Sequence, residues 1–462
     1  MQDGIRDDSA DGTPAVSPPS DEERLDRFRQ LLRIPTISRL EPTDTDWAAF
    51  DLFVGTLPEL YPALHGALSR EVVAGHSLLY RWAGRSSDQP TVLMAHYDVV
   101  AADDEGWAHP PFAAEVTGTG SAAVVHGRGT LDDKGALVAI LEAVEDLVGE
   151  GFQPAHDLYL SFGADEEIAG VGAQRIVELL ATRGVRPALV LDEGGAVVEP
   201  GLVRGVDRRL AVIGVTEKGI TSLALVVEQP GGHASTPPRL TAPARLARAI
   251  TRLTASPFPA RLSPAVRAFI TAIAPHASGP ERLLFQNVRY TGPVIARLFA
   301  ALSDETRAMV STTAAVTQLR GSDGANVLAE RASALVNIRI AVGSSVADAV
   351  RHVRRAVRDD AVRLEVLHPS EPSPVSPSSG PAWDALTAAL LAVHPDVVPT
   401  PYTMLGASDS RHFTAISDNV YRFTPFEILA AGRATLHARN EQLRVDSWLD
   451  GIAVYRNLVQ GR

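Results

Sequence analysis

Three observations in this 462-residue sequence predict an α/β fold, a mostly parallel sheet sandwiched by helices and interrupted by a smaller α+β domain. The first is Thr91 to Val100 (TVLMAHYDVV), an apolar run of strand length. Its hydrophobicity is unbroken, as in a parallel strand buried on both faces. The second is the alternation of strand-like and helix-like segments from there to Gly195, the pattern of strands joined by helical crossovers. The third is a change of character after Val215, where a period of two appears, as in an antiparallel sheet with one face covered.

The elements follow in chain order. Glu22 to Leu32 has helical apolar spacing and stops before Pro35. The Thr91–Val100 strand comes next. Gly135 to Val148 places Leu137, Ile140, Leu141, Val144, Leu147 and Val148 on one helical face. A strand at His156–Phe162, a helix near Ala173–Arg183 and a strand at Pro187–Gly195 complete the first half. Beyond Val215, Thr221–Val227 reads as a strand and Pro243–Leu253 as a helix. Ala332–Ile340 alternates cleanly, with Ala332, Ala334, Val336, Ile338 and Ile340 on one face. Val346–Arg358 is helical and Val362–Leu367 extended. Pro257–Thr313 reads as a mostly helical insertion. The Pro/Ser-rich stretch His368–Pro381 reads as a linker, and helices at Trp383–His394 and Arg444–Leu458 close the chain. The expected division is a tail at 1–20, a first domain at 21–215 and 368–462, and a second at 216–367 with its insertion at about 257–313.

Composition narrows the function. Residues that are 45% hydrophobic over this length are enough for two or three domains. The net charge of −12 does not attract nucleic acid or an anionic membrane. With no cysteine, disulfides, thiolate catalysis and cysteine–metal sites are excluded. The N-terminal stretch is acidic and rich in Pro and Ser, without a signal-peptide pattern. It is expected to be disordered, and the protein to be cytoplasmic.

Chemistry gathers where strands end. HYD supplies His96 and Asp98, and GRGTLDDKG supplies Asp132 and Asp133 at a helix start. GADEEIAG supplies Asp165, Glu166 and Glu167, and LDEGG supplies Asp192 and Glu193. Ligands of parallel sheets bind beyond the carboxyl ends of the strands, and His with carboxylates is the donor set of a zinc, manganese or cobalt site. Each motif alone has a plainer reading. His96 would serve as a core histidine, Asp132 and Asp133 as a helix cap and first-turn acid, Glu166 and Glu167 as a solvated helix start, and Asp192 and Glu193 as a turn.

In order, HYDVV, GRGTLDDKG, DEEIAG, LDEGG, GGHAS, NVL, VNIRI and LHARNEQL resemble the aminoacylase, carboxypeptidase S and dipeptidase family of di-zinc metallopeptidases, in its carboxypeptidase S-like branch. The resemblance runs from about residue 22 to the end. It implies a zinc-exopeptidase type catalytic domain with a lid or dimerisation domain, as monomer or homodimer. Two divalent ions are implied, zinc first, with cobalt or manganese as alternatives. His96 and Asp192 would hold one ion and Glu167 and His437 the other, with Asp132 between them and a cis peptide after it. Asp98 would orient His96, and Glu166 would act as general base and then acid. His233 would stabilise the oxyanion. Asn326, Arg339 and Gly406 would bind substrate, Arg339 gripping a carboxylate, with Arg411 a second candidate for that grip. Taken singly, His437 would be a surface histidine, Asn326 a turn cap, Arg339 one half of a surface ion pair, and His233 and Gly406 loop residues.

The implied activity is cleavage of an amide or peptide bond next to a free carboxylate, in small peptides or N-acyl amino acids. An alternative is a long-chain N-acyl amino acid hydrolase or synthase, with the insertion forming an apolar channel or covering a dimer contact. A catalytically silent binding homologue is the alternative from another class.

Overall fold

The computed structural model describes residues 19–103 and 105–462. Most of the expected disordered tail lies outside them. Ser20 instead caps the first helix, Asp21–Leu32, in a reciprocal capping box with Glu23.

Eight strands form the large sheet. At its centre the apolar strands His156–Gly163, Ser86–His96, Leu189–Val198 and Val420–Glu427 run parallel. A hairpin, Ser69–Val73 with Ser77–Trp82, extends one side antiparallel. Leu210–Glu217 and Val398–Met404, parallel to each other, extend the other. The strand expected at Thr91–Val100 ends at His96, so Asp98 lies beyond the sheet.

Helices cover both faces, as buried parallel strands require. Lys134–Gly149 is buried along nearly its whole length. Even its charged groups are partnered inside. Lys134 Nζ donates to Leu31 O (3.2 Å) and Ile34 O (2.6 Å), and Glu142 accepts from Arg27 and Tyr61. The closing helix, Val445–Gln460, packs beside it, with Trp448 stacked on Phe28. The opposite face carries Gly172–Thr182 and the Asp409–Ala415 turn.

The chain leaves this sheet at Glu217 and enters a four-stranded antiparallel sheet at Gly219. In its strand Arg331–Ile340, Ala332, Ala334, Val336, Ile338 and Ile340 are all buried under helices Ala242–Thr254 and Val346–Val357. The expected linker starts late, because His368–Ser370 still belong to the strand Arg363–Ser370. The insertion forms four helices, Pro264–Ile273, Gly279–Gln286, Val288–Leu302 and Asp304–Val310. Its apolar side packs on Val198, Leu210, Val212 and Val398 of the large sheet. No described helix is long and apolar enough to cross a membrane.

Gly195 marks where the large sheet is most crowded. A Cβ there would lie 1.6 Å from Val212 O, so nothing can yield but backbone. Gly195→Ala is expected to destabilise the protein by about 3 kcal/mol or more. Gly55→Ala, in a helix with no heavy atom within 4 Å of the new methyl, is expected to stabilise it by about 0.5–1 kcal/mol. Denaturant unfolding of the two variants beside the parent measures both.

Candidate active site

His96 closes its strand, and its ring is 2% exposed. Nδ1 faces the Asp98 backbone carbonyl at 2.9 Å and the Asp98 carboxylate at 3.3 Å. That contact turns Nε2 outward, where it meets Asp132 Oδ1 at 2.8 Å and Glu193 Oε1 at 3.6 Å. His437 arrives from the far end of the chain on a loop, in a left-handed backbone conformation (φ 56°). Its Nε2 meets Asp132 Oδ2 at 2.7 Å and Glu167 Oε2 at 3.2 Å. Two sets of three donors therefore share Asp132, each using one of its oxygens. The peptide from Asp132 to Asp133 is cis.

Glu166 and Glu167 begin the short 3₁₀ turn after the His156–Gly163 strand. The Asp98 carboxylate holds this turn, accepting the N–H of Glu166 (3.2 Å) and of Glu167 (3.1 Å) along with Ser38 Oγ (2.7 Å). One acid thus sets both His96 and the two glutamates. Asp165 faces away and accepts the N–H groups of Val171 and Gly172. Glu166 brings a carboxylate oxygen within 4.8 Å of His96 and Glu193.

The expectation for Asp192 is corrected by strand geometry. Adjacent strand residues point to opposite faces. Asp192 shares its side with Val190 and turns toward the Ser408–Phe413 segment, where its Oδ2 accepts the Ser410 N–H at 2.9 Å. Glu193 shares its side with Leu191, under the helix that begins just after Asp132 and Asp133. Glu193, not Asp192, faces His96.

The electrostatics follow from this crowding of acids. Hydrogen bonds to Asp132 and Glu167 push the His437 imidazole up to about 10. Burial alone would raise the Asp132 carboxyl, but hydrogen bonds from His437 and His96 hold it far below the usual range. Burial pushes the Glu166 carboxyl well up, reinforced by Asp409, Asp132 and Asp98. Among the described residues no Lys or Arg pairs with Glu166, Glu167 or Glu193, and Glu167 Oε1 is buried without a hydrogen-bond partner. Four carboxylates and two imidazoles, with no Lys or Arg among the described residues paired to the three glutamates, fit divalent ions. The donors, N and O without S, are those zinc, cobalt and manganese accept.

The residues expected to bind substrate lie elsewhere. His233 pairs with Val327 on an exposed two-stranded ribbon, and Asn326 lies at its end, where Ala234 N donates to Asn326 O at 3.0 Å. His233 hydrogen-bonds Ser235 and does not touch the cluster. Arg339 is half-buried on the four-stranded sheet, its Nε donating to Asn337 Oδ1 at 3.2 Å. Gly406 is exposed, with only Met404 Cε near a would-be Cβ, at 3.6 Å.

Glu441 escaped the sequence reading. It is fully buried and accepts the N–H groups of Gly129 (3.1 Å), Leu131 (2.7 Å) and Asp132 (3.2 Å), while Arg128 balances its charge. It lies on the His437 loop, so it ties that loop to the segment presenting Asp132. The only signal was an acid inside LHARNEQL. Glu441→Ala would strip three buried N–H groups of their acceptor. It is expected to lower metal affinity about 10–100-fold, measured as metal retained after dialysis against a graded chelator.

Known proteins are similar to this chain along most of its length. The pattern of peptidase family M20/M25/M40 matches residues 92–461. The chain is 33% identical to a probable carboxypeptidase S-like 2 of Dictyostelium discoideum, over 96% of this chain and 85% of that one. It is 34% identical to the human N-fatty-acyl-amino acid synthase/hydrolase PM20D1, over 96% and 88%. The fold is similar to an M20 family metallo-carboxypeptidase from Sulfolobus solfataricus (TM-score 0.69, 17% identity, covering 95% of this chain and 98% of that one). The chain therefore belongs to peptidase family M20/M25/M40 and is a hydrolase of peptide or amide bonds.

Proposed function

We propose that this protein is a metal-dependent hydrolase cleaving an amide or peptide bond next to a free carboxylate, in small peptides or N-acyl amino acids. The observation that carries the reading is the Asp132 carboxylate shared between His96 and His437, with Glu166 beside them and, among the described residues, no Lys or Arg paired to the glutamates. His96, Asp132 and Glu193 would hold one divalent ion, and Asp132, Glu167 and His437 the other, with zinc the first choice. Bound there, the ions would polarise the scissile carbonyl and acidify a water.

The chain's own groups do the rest. Glu166, made more basic by burial and neighbouring acids, takes a proton from water and passes it to the leaving nitrogen. Asp98 fixes the His96 tautomer through Nδ1 and holds the Glu166 backbone. Arg339 binds the substrate carboxylate through its terminal nitrogens, since its Nε is spent on Asn337. His233, with Asn326 beside it, donates to the developing oxyanion. Both are exposed, so they reach the cluster when the second domain closes over the first as a lid, or from a second copy. Gly406 leaves room along the loop after Met404.

A long-chain N-acyl amino acid hydrolase or synthase is the second reading, favoured by the similarity to the N-fatty-acyl-amino acid synthase/hydrolase. A silent binding homologue would need a missing ligand or base, and both donor sets and Glu166 are present.

Elemental analysis of the purified protein is expected to find about two divalent ions per chain, with chelator-sensitive hydrolysis of a dipeptide or N-acyl amino acid. A graded acyl-chain series separates the two enzymatic readings by where kcat/KM peaks. Glu166→Ala is expected to lower kcat on the order of 10³-fold and leave metal content intact. Persisting activity would reassign the base.

A further inference from the structure

Both chain crossings between the two sheets meet at one buried acid. Glu217 is the last residue of its strand in the large sheet and is 1% exposed. Its backbone ties the crossings together, its N–H donating to Ser373 Oγ (2.8 Å) and its carbonyl accepting the Ser373 N–H (3.2 Å). Its carboxylate faces the other way. Oε1 accepts Arg422 Nε (2.6 Å) and Ser408 Oγ (2.9 Å), and Oε2 accepts Arg411 Nη2 (3.2 Å) and Ser408 N (3.3 Å). Nothing in the hydrolytic chemistry above uses it.

The register shows where Arg411 is held. Its Nη1 donates to Ser370 Oγ at 3.4 Å. Ser370 is the cross-strand partner of Ile220, and Ile220 is the partner of Arg339. Ser370, Ile220 and Arg339 thus form one row across the four-stranded sheet. Two strand spacings put the Ser370 and Arg339 Cα atoms roughly 10 Å apart, a gap two guanidinium side chains can close from either side. Among the described residues Arg339 has no carboxylate partner, and its bonded nitrogen is Nε. Burial, then the nearby Arg411, lowers the proton affinity of Arg339, as expected of two cations that lack an anion between them.

We propose that Glu217 is a positioning residue for substrate recognition. It fixes Arg411 at the crossing so that Arg411, from the large-sheet domain, and Arg339, from the second domain, close on the same substrate carboxylate. This rests on the reading that Arg339 binds that carboxylate. Only an anion relieves the repulsion between the two arms, so the free carboxylate is selected over neutral ends. Because the arms belong to different domains, the same anion holds the hinge in place. Ser410, next to Arg411, donates its N–H to Asp192, so the clamp is registered to the strand that presents Glu193.

The test compares kcat/KM for the preferred substrate with that for its C-terminal amide, which is the same molecule without the charge. The parent favours the acid. Arg411→Gln and Glu217→Gln are each expected to shrink that acid-to-amide ratio about tenfold, through KM of the acid. Glu217→Asp keeps a charge against Arg422 and draws back from Arg411, so it serves if the Gln variant does not fold. Arg339→Ala checks the underlying reading. If it leaves the ratio unchanged, the carboxylate is bound elsewhere and both ideas fall. If it collapses the ratio while Arg411→Gln, or a folded Glu217 variant, leaves it at the parent value, the role given to Glu217 is wrong and the Arg339 reading stands.

Discussion

One carboxylate accepting from two imidazoles organises this molecule. Asp132 gives one oxygen to His96, from a central strand, and the other to His437, from a loop near the C-terminus. That geometry requires two distant stretches of chain to be fixed within a few tenths of an ångström. Buried acids supply the fixing. Asp98 sets His96 and the backbone of Glu166 and Glu167, and Glu441 binds the backbone that presents Asp132 to the loop that presents His437. Unpaired backbone N–H groups are costly inside a protein, so a carboxylate that accepts them ties these loops in place.

The concentration of negative charge is the opposite of what a stable core favours. Several other buried acids of the same domain have Arg partners, as Glu142 has Arg27, Glu441 has Arg128 and Glu217 has Arg422. Among the described residues Glu166, Glu167 and Glu193 have no Lys or Arg against them, and only the imidazoles of His96 and His437 come near. Leaving these acids together without Lys or Arg gives external cations a place. The positive groups stand apart, where the two sheets meet. Arg339, Arg411 and the buried Lys218, the last held by the carbonyls of Ala308 and Ser311, suit the anionic end of a substrate. On the reading proposed above, the charge that acts on the bond is kept apart from the charge that holds the substrate.

Much of this was legible in the sequence because local chemistry speaks there. Unbroken apolar runs marked the buried strands, period-two burial marked Arg331–Ile340, and acids clustered where strands end. Other parts were not legible. The strands Val398–Met404 and Val420–Glu427 carry prolines and polar residues that blur their period. The insertion read as a helical unit inside the second domain, yet it packs on the large sheet, since an apolar helix face does not name its partner. Glu441 looked like one more acid in a loop.

What the sequence alone determined is the donor chemistry. Histidines and carboxylates without cysteine, spaced at strand ends, restrict the site to hard and borderline divalent ions, whatever the exact packing. What only the tertiary structure decided is which donor of a pair faces the site. Asp192 and Glu193 are neighbours of like chemistry, and their choice rests on which side of the strand the helix after Asp132 covers. A strand shows its alternation in sequence but not which of its faces meets which layer. That assignment is made by long-range packing.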